Sequence, residues 1–514
     1  MPTLLSDLLA GVPVERAAGP LDLPIAALAY DSRQVQPGGL FVAVRGYHVD
    51  GHDFVDQAIA RGAAAVVVDA RHWRGHDPAG ATLVAVPDSR TVLAPLAAAQ
   101  QGYPGAKLRV AGITGTKGKS TTTDLAAQAV EGGRRTGMIS TVEFKVGPRR
   151  WPNKTRQSTP EAPDVQALLA EMVAAGCEVA VVEATSHALS PGWNRLGGCL
   201  FDVAVFLNIS HEHLDYHGSF AQYRADKARL FELLGETPPG RPLSAAKAEK
   251  WAIANADDPS CDYFLDAAPA AARRLTFGRA PRADVRALDV RSGPAGSSLR
   301  VATPWGEAGL DLALPGPFNV GNALAALSVA LSQSVALDRA AAALAAARAP
   351  RGRMQPVTLG QPFDVIVDYA HNPDSFEQVM GMLRPLARGR MIAVFGSAGE
   401  RDVAKRPIQG EIAARFCDLL VLTDEDPRGE DREAIIAQIA AGAERAGKRA
   451  GSGYLCIPDR AAAVRAAIAA ARPGDLVLLL GKGHEGSIIY ADGSLPWDEA
   501  AEAEAALREQ GYGG

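Results

Sequence analysis

Cysteine is scarce in this 514-residue chain: five residues, Cys177, Cys199, Cys261, Cys417 and Cys456, odd in number and never in C-x-x-C spacing. They read as reduced, mostly buried thiols and not as a disulfide or metal framework. Aromatic residues are few as well, at 6%. An excess of basic charge is missing: 53 Lys and Arg stand against 58 Asp and Glu, a net charge of −5, so there is no counterion-release footprint for nucleic acid. Long apolar runs are absent too. The most apolar, Leu476 to Leu480, is far shorter than the roughly 20 residues that span a bilayer. The opening MPTLLSDLLAGVPVERAAGP carries an acid and lacks the basic start and long apolar core of a signal peptide. The expectation is a cytoplasmic protein, not inserted in a membrane, with no nucleic-acid partner.

What is present is ordinary globular composition, 47% hydrophobic and 22% charged. A length of this order suggests about three domains. Short β-branched runs alternate with Ala-rich helical stretches: residues 63–69, 107–115, 178–184, 201–208, 363–370, 390–397, 418–425 and 475–483. Continuous apolar strands between helices predict parallel sheets covered on both faces, an α/β fold. Turn-rich junctions at AQQGYPGAK (99–107) and at AARAPRGRM, which ends at Met354, divide the chain into domains 1–100, 101–347 and 348–514. The second junction follows a helix expected to start near Asn322. Between Gly278 and Leu314, V-x-A-x and L-x-V-x patterns broken by Gly and Pro predict a small antiparallel β excursion.

The sharpest motif is KLRVAGITGTKGKSTTT (107–123): a buried strand, a Gly-rich turn, Gly-Lys-Ser, then a helix. Phosphate binding needs that context. Backbone N–H groups converge on the anion, Lys119 reaches the terminal phosphates, and Ser120 ligates Mg²⁺. Ile113 occupies the place of the usual first glycine, so the tight turn is assigned to Gly115. Downstream, VVEATSHAL (181–189) delivers Glu183 at a strand end beside Ser186 and His187, and residues 206–231 supply His211, His213, Asp215, His217 and Lys227. A cation bridging phosphates takes few carboxylates plus water, which suits Glu183 with Ser120. The histidines also invite a zinc reading, set against the lack of nearby cysteine. The bland alternative for them is a solvated turn.

T-G-T-x-G-K-S-T-T resembles the phosphate loop of the Mur ligases and of the folylpolyglutamate synthetases, which form amide bonds at the expense of ATP. The segments at 181–189 and 206–231 resemble the Mur ligase E-x-[ST]-S-H-x-L and [DE]-H-L-D-Y-H-G…Y-x-x-x-K-x-x-L-F motifs. The resemblance implies an N-terminal uridine-nucleotide-binding α/β domain, a central phosphate-loop ATPase domain with a mostly parallel sheet, and a C-terminal Rossmann-like domain. It implies ATP and Mg²⁺, with Gly115, Thr116, Lys117, Gly118, Lys119, Ser120 and Thr121 on the phosphates. It places Asn319, Arg353, Asp368 and His371 at or near the nucleoside. Glu183 and His213 would help hold metal, and Lys227 would be carbamylated, a carboxylate made from lysine and CO₂ that also binds metal.

The stretch 29–69 resembles the uridine-nucleotide domain that two members of the group possess and folylpolyglutamate synthetases lack. Ser32 matches the uracil contact, and Tyr47, His48 and Val49 match a second nucleotide-contacting loop. QSTPEAPDVQ (157–166) resembles a muramoyl-peptide segment, through Gln157, Ser158 and Thr159, joined by Thr185 and Arg195. Gln157, Ser158 and Thr185 differ from the usual residues but keep hydrogen-bonding capacity. The loops FGSAGERDVAKRP (395–407), LTDEDPRGED (422–431) and GKGHEGS (481–487) each follow a strong strand, where α/β sheets collect ligands. They resemble the acceptor pocket of the tripeptide-forming branch, with Arg401, Glu425, Asp426, Pro427, Arg428, Gly481 and Glu485 on the incoming amino acid.

That branch joins a diamino acid to the D-Glu side-chain carboxylate of UDP-N-acetylmuramoyl-L-alanyl-D-glutamate through an acyl phosphate, and a monomer is expected. Branch members using meso-diaminopimelate usually carry D-N-P-R, whereas this chain has Glu425-Asp426-Pro427-Arg428. Asp426 cannot donate to a distal carboxylate and would repel it, while Arg428 favours one. Diaminopimelate is narrowly preferred over L-lysine or L-ornithine. The alternatives are the sister ligase that adds D-Ala-D-Ala, a folylpolyglutamate synthetase, and a non-catalytic nucleotide-binding scaffold in cell-wall assembly.

Overall fold

The structure, a computed structural model, describes residues 3–46, 49–73, 80–155, 157–210, 214–293, 296–513. Tyr47, His48, His211 and His213 therefore lie outside the described residues, as do the side chains of Leu214, Asp215 and Ala246. The chain forms two compact units. One comprises Met1–Ala287, Val301–Ala308 and Gly321–Ala343; the other comprises Leu288–Arg300, Gly309–Val320 and Leu344–Gly514.

The first unit contains two of the expected sheets. The N-terminal one has strands Arg16–Ala18, Thr82–Val86, Ala63–Asp69, Gly39–Val42 and Leu28–Ala29, parallel except for the first. Successive residues point to opposite faces, and both faces are packed. Leu40, Val42, Val67 and Val84 join one core cluster, whereas Phe41, Ala43, Val66 and Val68 join another. The central sheet orders Thr136–Ile139, Val179–Glu183, Arg109–Thr114, Val203–Phe206, Trp251–Asn255 and Arg273–Gly278 as parallel neighbours. Its antiparallel edge is Glu143–Val146 and Arg149–Pro152. The segment read as a β excursion holds three strands, Val285–Gly293, Gly296–Thr303 and Gly306–Leu312, parts of which belong to the second unit.

The second unit carries a six-stranded sheet: Gln355–Pro356, Asp364–Asp368, Leu476–Leu480, Met391–Phe395, Leu419–Leu422 and Tyr454–Cys456, antiparallel only at its first pair. Ile366, Ala393, Leu420 and Leu478 face one helical layer; Val365, Val394, Val421 and Val477 face the other. This is the doubly covered, mostly parallel α/β architecture that continuous apolar strands imply. Four cysteines are buried and Cys456 is exposed, all five as free thiols.

One helix starts earlier than expected, at Pro317 (Pro317–Ser332) and not near Asn322. A proline pre-set for the first helical position follows Gly316, whose φ is 94°. Asn319 thus lies in the first turn, where its side-chain amide donates to the Pro315 carbonyl at 2.8 Å.

Candidate functional site

The strand Arg109–Thr114 runs into the phosphate loop, and the helix Lys119–Glu131 leaves it. The left-handed residue is Gly118, with φ 84°, where a Cβ would meet Asn322 Oδ1 at 2.4 Å. The turn assigned to Gly115 is therefore made three residues later. Gly115 is needed for space: a Cβ there would lie 2.9 Å from that of Leu207. Lys119 Nζ donates to the carbonyls of Gly115 and Thr116 at 3.1 and 2.9 Å, and Lys227 Nζ to that of Gly115 at 2.7 Å. Asn208 pins the loop from outside, accepting from the Lys117 N–H at 2.9 Å and donating to its carbonyl at 3.0 Å.

Register explains why a carboxylate sits beside this loop. Val179–Glu183 lies parallel to Arg109–Thr114, with Glu183 opposite Ile113. The buried Glu183 accepts from the Ser120 hydroxyl at 3.1 Å and from the Thr141 N–H at 2.8 Å. Thr159 extends the array. Its hydroxyl lies 2.8 Å from the Glu183 carbonyl and 3.2 Å from the Thr185 hydroxyl, and Arg195 donates to its carbonyl at 3.1 Å. Ser158 and Gln157 flank it, half-buried.

Arg195 is not a free arm. It pairs with buried Glu161 at 2.9 Å, Arg90 pairs with the same carboxylate at 2.9 Å, and both guanidiniums stack on Trp193. Arg90 belongs to the N-terminal sheet's helix Ser89–Gln100, so this cluster joins the first two sheets. Tyr30 adds a bond to Asp164 at 3.4 Å, and burial raises the Asp164 carboxyl above the usual carboxylate range. Ser32 is buried and donates to Gln57 at 2.8 Å, while Val49 is exposed.

His217 is neither a metal ligand in waiting nor part of a solvated turn. It is buried, with Nδ1 2.6 Å from the Asp226 carboxylate and Nε2 3.0 Å from the Ser186 hydroxyl. A carboxylate only accepts, so Nδ1 carries a proton and both ring nitrogens are committed.

In the second unit, Asp368 ends the strand Asp364–Asp368 and takes two backbone donors, the N–H of Met354 at 2.8 Å and of Ala370 at 2.9 Å. Burial raises its carboxyl, partly offset by Arg353. Arg353 lies 4.6 Å from the centre of the Tyr369 ring, which also packs against His371 and His484. Burial depresses both imidazoles, His484 to about 3. A Cβ on Gly352 would lie 2.1 Å from the His484 nitrogen, so this loop and the 481–485 turn interlock.

The three loops after the strands Met391–Phe395, Leu419–Leu422 and Leu476–Leu480 do converge. The Gly399 N–H donates to the Asp426 carbonyl at 2.8 Å. Lys482 Nζ donates to Asp426 at 2.7 Å and to Glu485 at 2.6 Å. Glu425 is buried with Oε2 unpartnered, and burial pushes its carboxyl up to about 7. A Cβ on Gly481 would lie 3.3 Å from that oxygen. Arg428 is half-buried at φ 55°, its Nε buried without a hydrogen-bond partner. Pro427 is buried between Asp426 and Arg428, and Arg401 is exposed.

Three domain families match in chain order: Mur ligase family, catalytic domain, over residues 24–101; Mur ligase middle domain over 113–330; and Mur ligase, glutamate ligase domain over 352–483. A UDP-N-acetylmuramyl-tripeptide synthetase from Roseiflexus sp. (strain RS-1) is 60% identical over 496 residues, covering 96% of this chain and 97% of its own. The chain belongs to the Mur ligase family. Membership makes it an ATP-dependent ligase of peptidoglycan synthesis. A UDP-N-acetylmuramoyl-L-alanyl-D-glutamate–2,6-diaminopimelate ligase from Geobacillus kaustophilus (strain HTA426) is 41% identical, covering 99% of each chain. A solved structure of a ligase of the same name superimposes with a TM-score of 0.70 at 28% identity, covering 100% of each chain. Among the described residues, no helix is long and apolar enough to cross a membrane.

For this Mur ligase, the sequence assembled Lys119, Ser120, Glu183 and Lys227 around one loop, and the structure brings them together. It likewise gathers Glu425, Asp426, Gly481 and Glu485, and leaves Arg401 at the surface. Residues the motifs did not single out complete both places: Asn208, Glu161 with Arg90, Asp226, Tyr369 and Lys482. Glu161, Asp226 and Lys482 sit inside quoted segments, so a search for charged residues within them would have found those three.

Proposed function

We propose that the chain ligates a diamino acid to the D-Glu side-chain carboxylate of UDP-N-acetylmuramoyl-L-alanyl-D-glutamate, as a cytoplasmic monomer with domains 1–100, 101–347 and 348–514. The observation that carries this is the pairing of Ser120 with Glu183 at the mouth of a lysine-bearing phosphate loop, in a chain 60% identical along nearly its whole length to a tripeptide synthetase. Two hard oxygens 3.1 Å apart fit a Mg²⁺ ion, which takes few protein carboxylates and keeps water and phosphate as its other ligands. Ser120, Glu183, His213 and carbamylated Lys227 would hold it. A carbamate keeps one N–H, so the Lys227 bond to Gly115 survives the modification. Bound there, Mg²⁺ supplies charge neutralisation on the phosphates.

The substrate carboxylate takes the γ-phosphoryl group of ATP and ADP departs; the acceptor amine then attacks the acyl phosphate, losing a proton as phosphate leaves. Lys119 orients the transferring group, with the backbone N–H groups of 115–121 around it. Asn319, Arg353, Asp368 and His371 serve the nucleoside. Ser32, with Tyr47, His48 and Val49, serves uridine; Gln157, Ser158, Thr159, Thr185 and Arg195 serve the muramoyl peptide. At the acceptor, Arg428 takes a carboxylate with support from Arg401, and Gly481, Glu485 and the 425–427 segment take the amine end. Relatives named diaminopimelate ligases at 41% identity favour meso-diaminopimelate. L-Lysine or L-ornithine is the second reading, favoured by the carboxyl groups of Glu425, Asp426 and Glu485 in one pocket. ADP release that requires both the UDP-dipeptide and a diamino acid supports the proposal; ADP release independent of the UDP-dipeptide defeats it.

A further inference from the structure

Asp426 stands where the resemblance to the diaminopimelate-using branch implies asparagine, and its surroundings change what that difference means. The strands Leu419–Leu422 and Leu476–Leu480 are not neighbours; Met391–Phe395 lies between them. Lys482 bridges their following loops over the end of that strand. Its side chain is fully buried, and its ammonium bonds Asp426 Oδ1 at 2.7 Å and Glu485 Oε2 at 2.6 Å. The same Asp426 Oδ1 also accepts the Ile489 N–H at 2.9 Å. The turn beneath leaves no freedom: a Cβ on Gly396 would lie 2.2 Å from the Thr423 carbonyl, and one on Gly483 2.7 Å from the Tyr369 Cβ.

We propose that Lys482 is a positioning and specificity-determining residue, which fixes Asp426 and Glu485 as one unit and offsets the Asp426 charge so that an acceptor with a second carboxylate is admitted. This rests on the acceptor assignment made above. A buried ammonium between two carboxylates cancels one negative charge outright, and at short range in a poorly solvated pocket one uncancelled charge outweighs a hydrogen bond. With Oδ1 held by two donors, an asparagine at 426 must place its amide oxygen there and its NH₂ at the Oδ2 position. Lys482 therefore suits either residue, and the Asp-for-Asn exchange costs less repulsion than the sequence implies.

The test is a double-mutant cycle read as a preference ratio: kcat/KM for meso-diaminopimelate divided by kcat/KM for L-lysine, both measured on the same preparation so that the folded fraction cancels. Lys482→Gln removes the charge and should lower the ratio tenfold or more. Lys482→Gln with Asp426→Asn removes both charges and should return it to within about threefold of wild type, an extent set by loss of the repulsive element. If Lys482→Gln does not fold, Asp426→Asn alone should raise the ratio, because Lys482 and Glu485 then cancel and the one excess negative charge of the unit is gone. A ratio unmoved by the available variants, or a double variant no better than Lys482→Gln, overturns the inference. So does a wild type that transfers lysine and no diaminopimelate. A wild type that releases no ADP with the UDP-dipeptide and any diamino acid fails the underlying reading instead.

Discussion

Glu183 and Glu425 hold the same address in two different sheets: each sits at or just beyond the C-terminal end of a parallel strand, and each is buried. Glu183 is met by a hydroxyl and a backbone N–H. Glu425 has an unpartnered oxygen and a carboxyl pushed up to about 7 by burial. Strand ends supply the position; the donors that meet the side chain differ from one sheet to the other. A satisfied carboxylate suits a cation. One poised near neutrality suits a pocket whose net charge must accommodate an amino acid.

Changing Glu183 should have the largest effect. Glu183→Gln keeps one oxygen to accept the Thr141 N–H and turns its NH₂ to the Ser120 hydroxyl, which can accept it, but it removes the charge, and we expect turnover to fall by about 10³-fold with the fold intact, as loss of electrostatic stabilisation commonly does. Steady-state ADP release with thermal melting as a control checks this; near wild-type turnover would remove Glu183 from the metal site. Lys227→Ala should come close in severity, and acetate should partly restore it if the lysine acts as a carbamate. Full activity without the lysine would contradict that role.

Arg428→Ala follows. A buried charge-assisted contact of about 1.5–3 kcal/mol corresponds to roughly a tenfold to hundredfold loss in kcat/KM for diaminopimelate, with lysine transfer much less affected. Equal losses for both acceptors would detach Arg428 from the distal carboxylate.

The smallest effect sharpens the contrast most. Between about 4.5 and 7 the folded protein keeps a proton on Glu425 that the unfolded chain has lost. Stability from this group is then greatest at low pH and is lost as pH rises towards 7, by at most about 3 kcal/mol. Glu425→Gln should flatten that decline in denaturant melts between pH 5 and 8. An unchanged slope would mean that Lys405, Lys482 and Arg460 hold the carboxylate charged.

Much of this was legible before the fold. Valine- and leucine-rich runs announced buried parallel strands because two covered faces leave no polar position, as Val181 or Leu478 illustrates. The phosphate loop was legible because strand, turn and helix are contiguous in sequence. Contacts between distant segments were not. Arg90 and Glu161 are 71 positions apart, and Lys482 and Asp426 are 56 apart. Nothing local distinguishes a lysine that neutralises an aspartate from one in solvent. The glycine turn was misplaced for a related reason: motif spacing marks where glycines occur, but φ at Gly118 and crowding by Leu207 at Gly115 are set by the neighbours that pack there.

The most direct test of the whole account is a competition. The wild-type enzyme, ATP, Mg²⁺ and UDP-N-acetylmuramoyl-L-alanyl-D-glutamate are incubated with equimolar meso-diaminopimelate, L-lysine and L-ornithine, and the UDP-linked product is weighed. One predominant product carrying diaminopimelate should form, in step with ADP. A UDP-dipeptide that remains unextended while ATP is hydrolysed, or a product carrying lysine or ornithine alone, would contradict it.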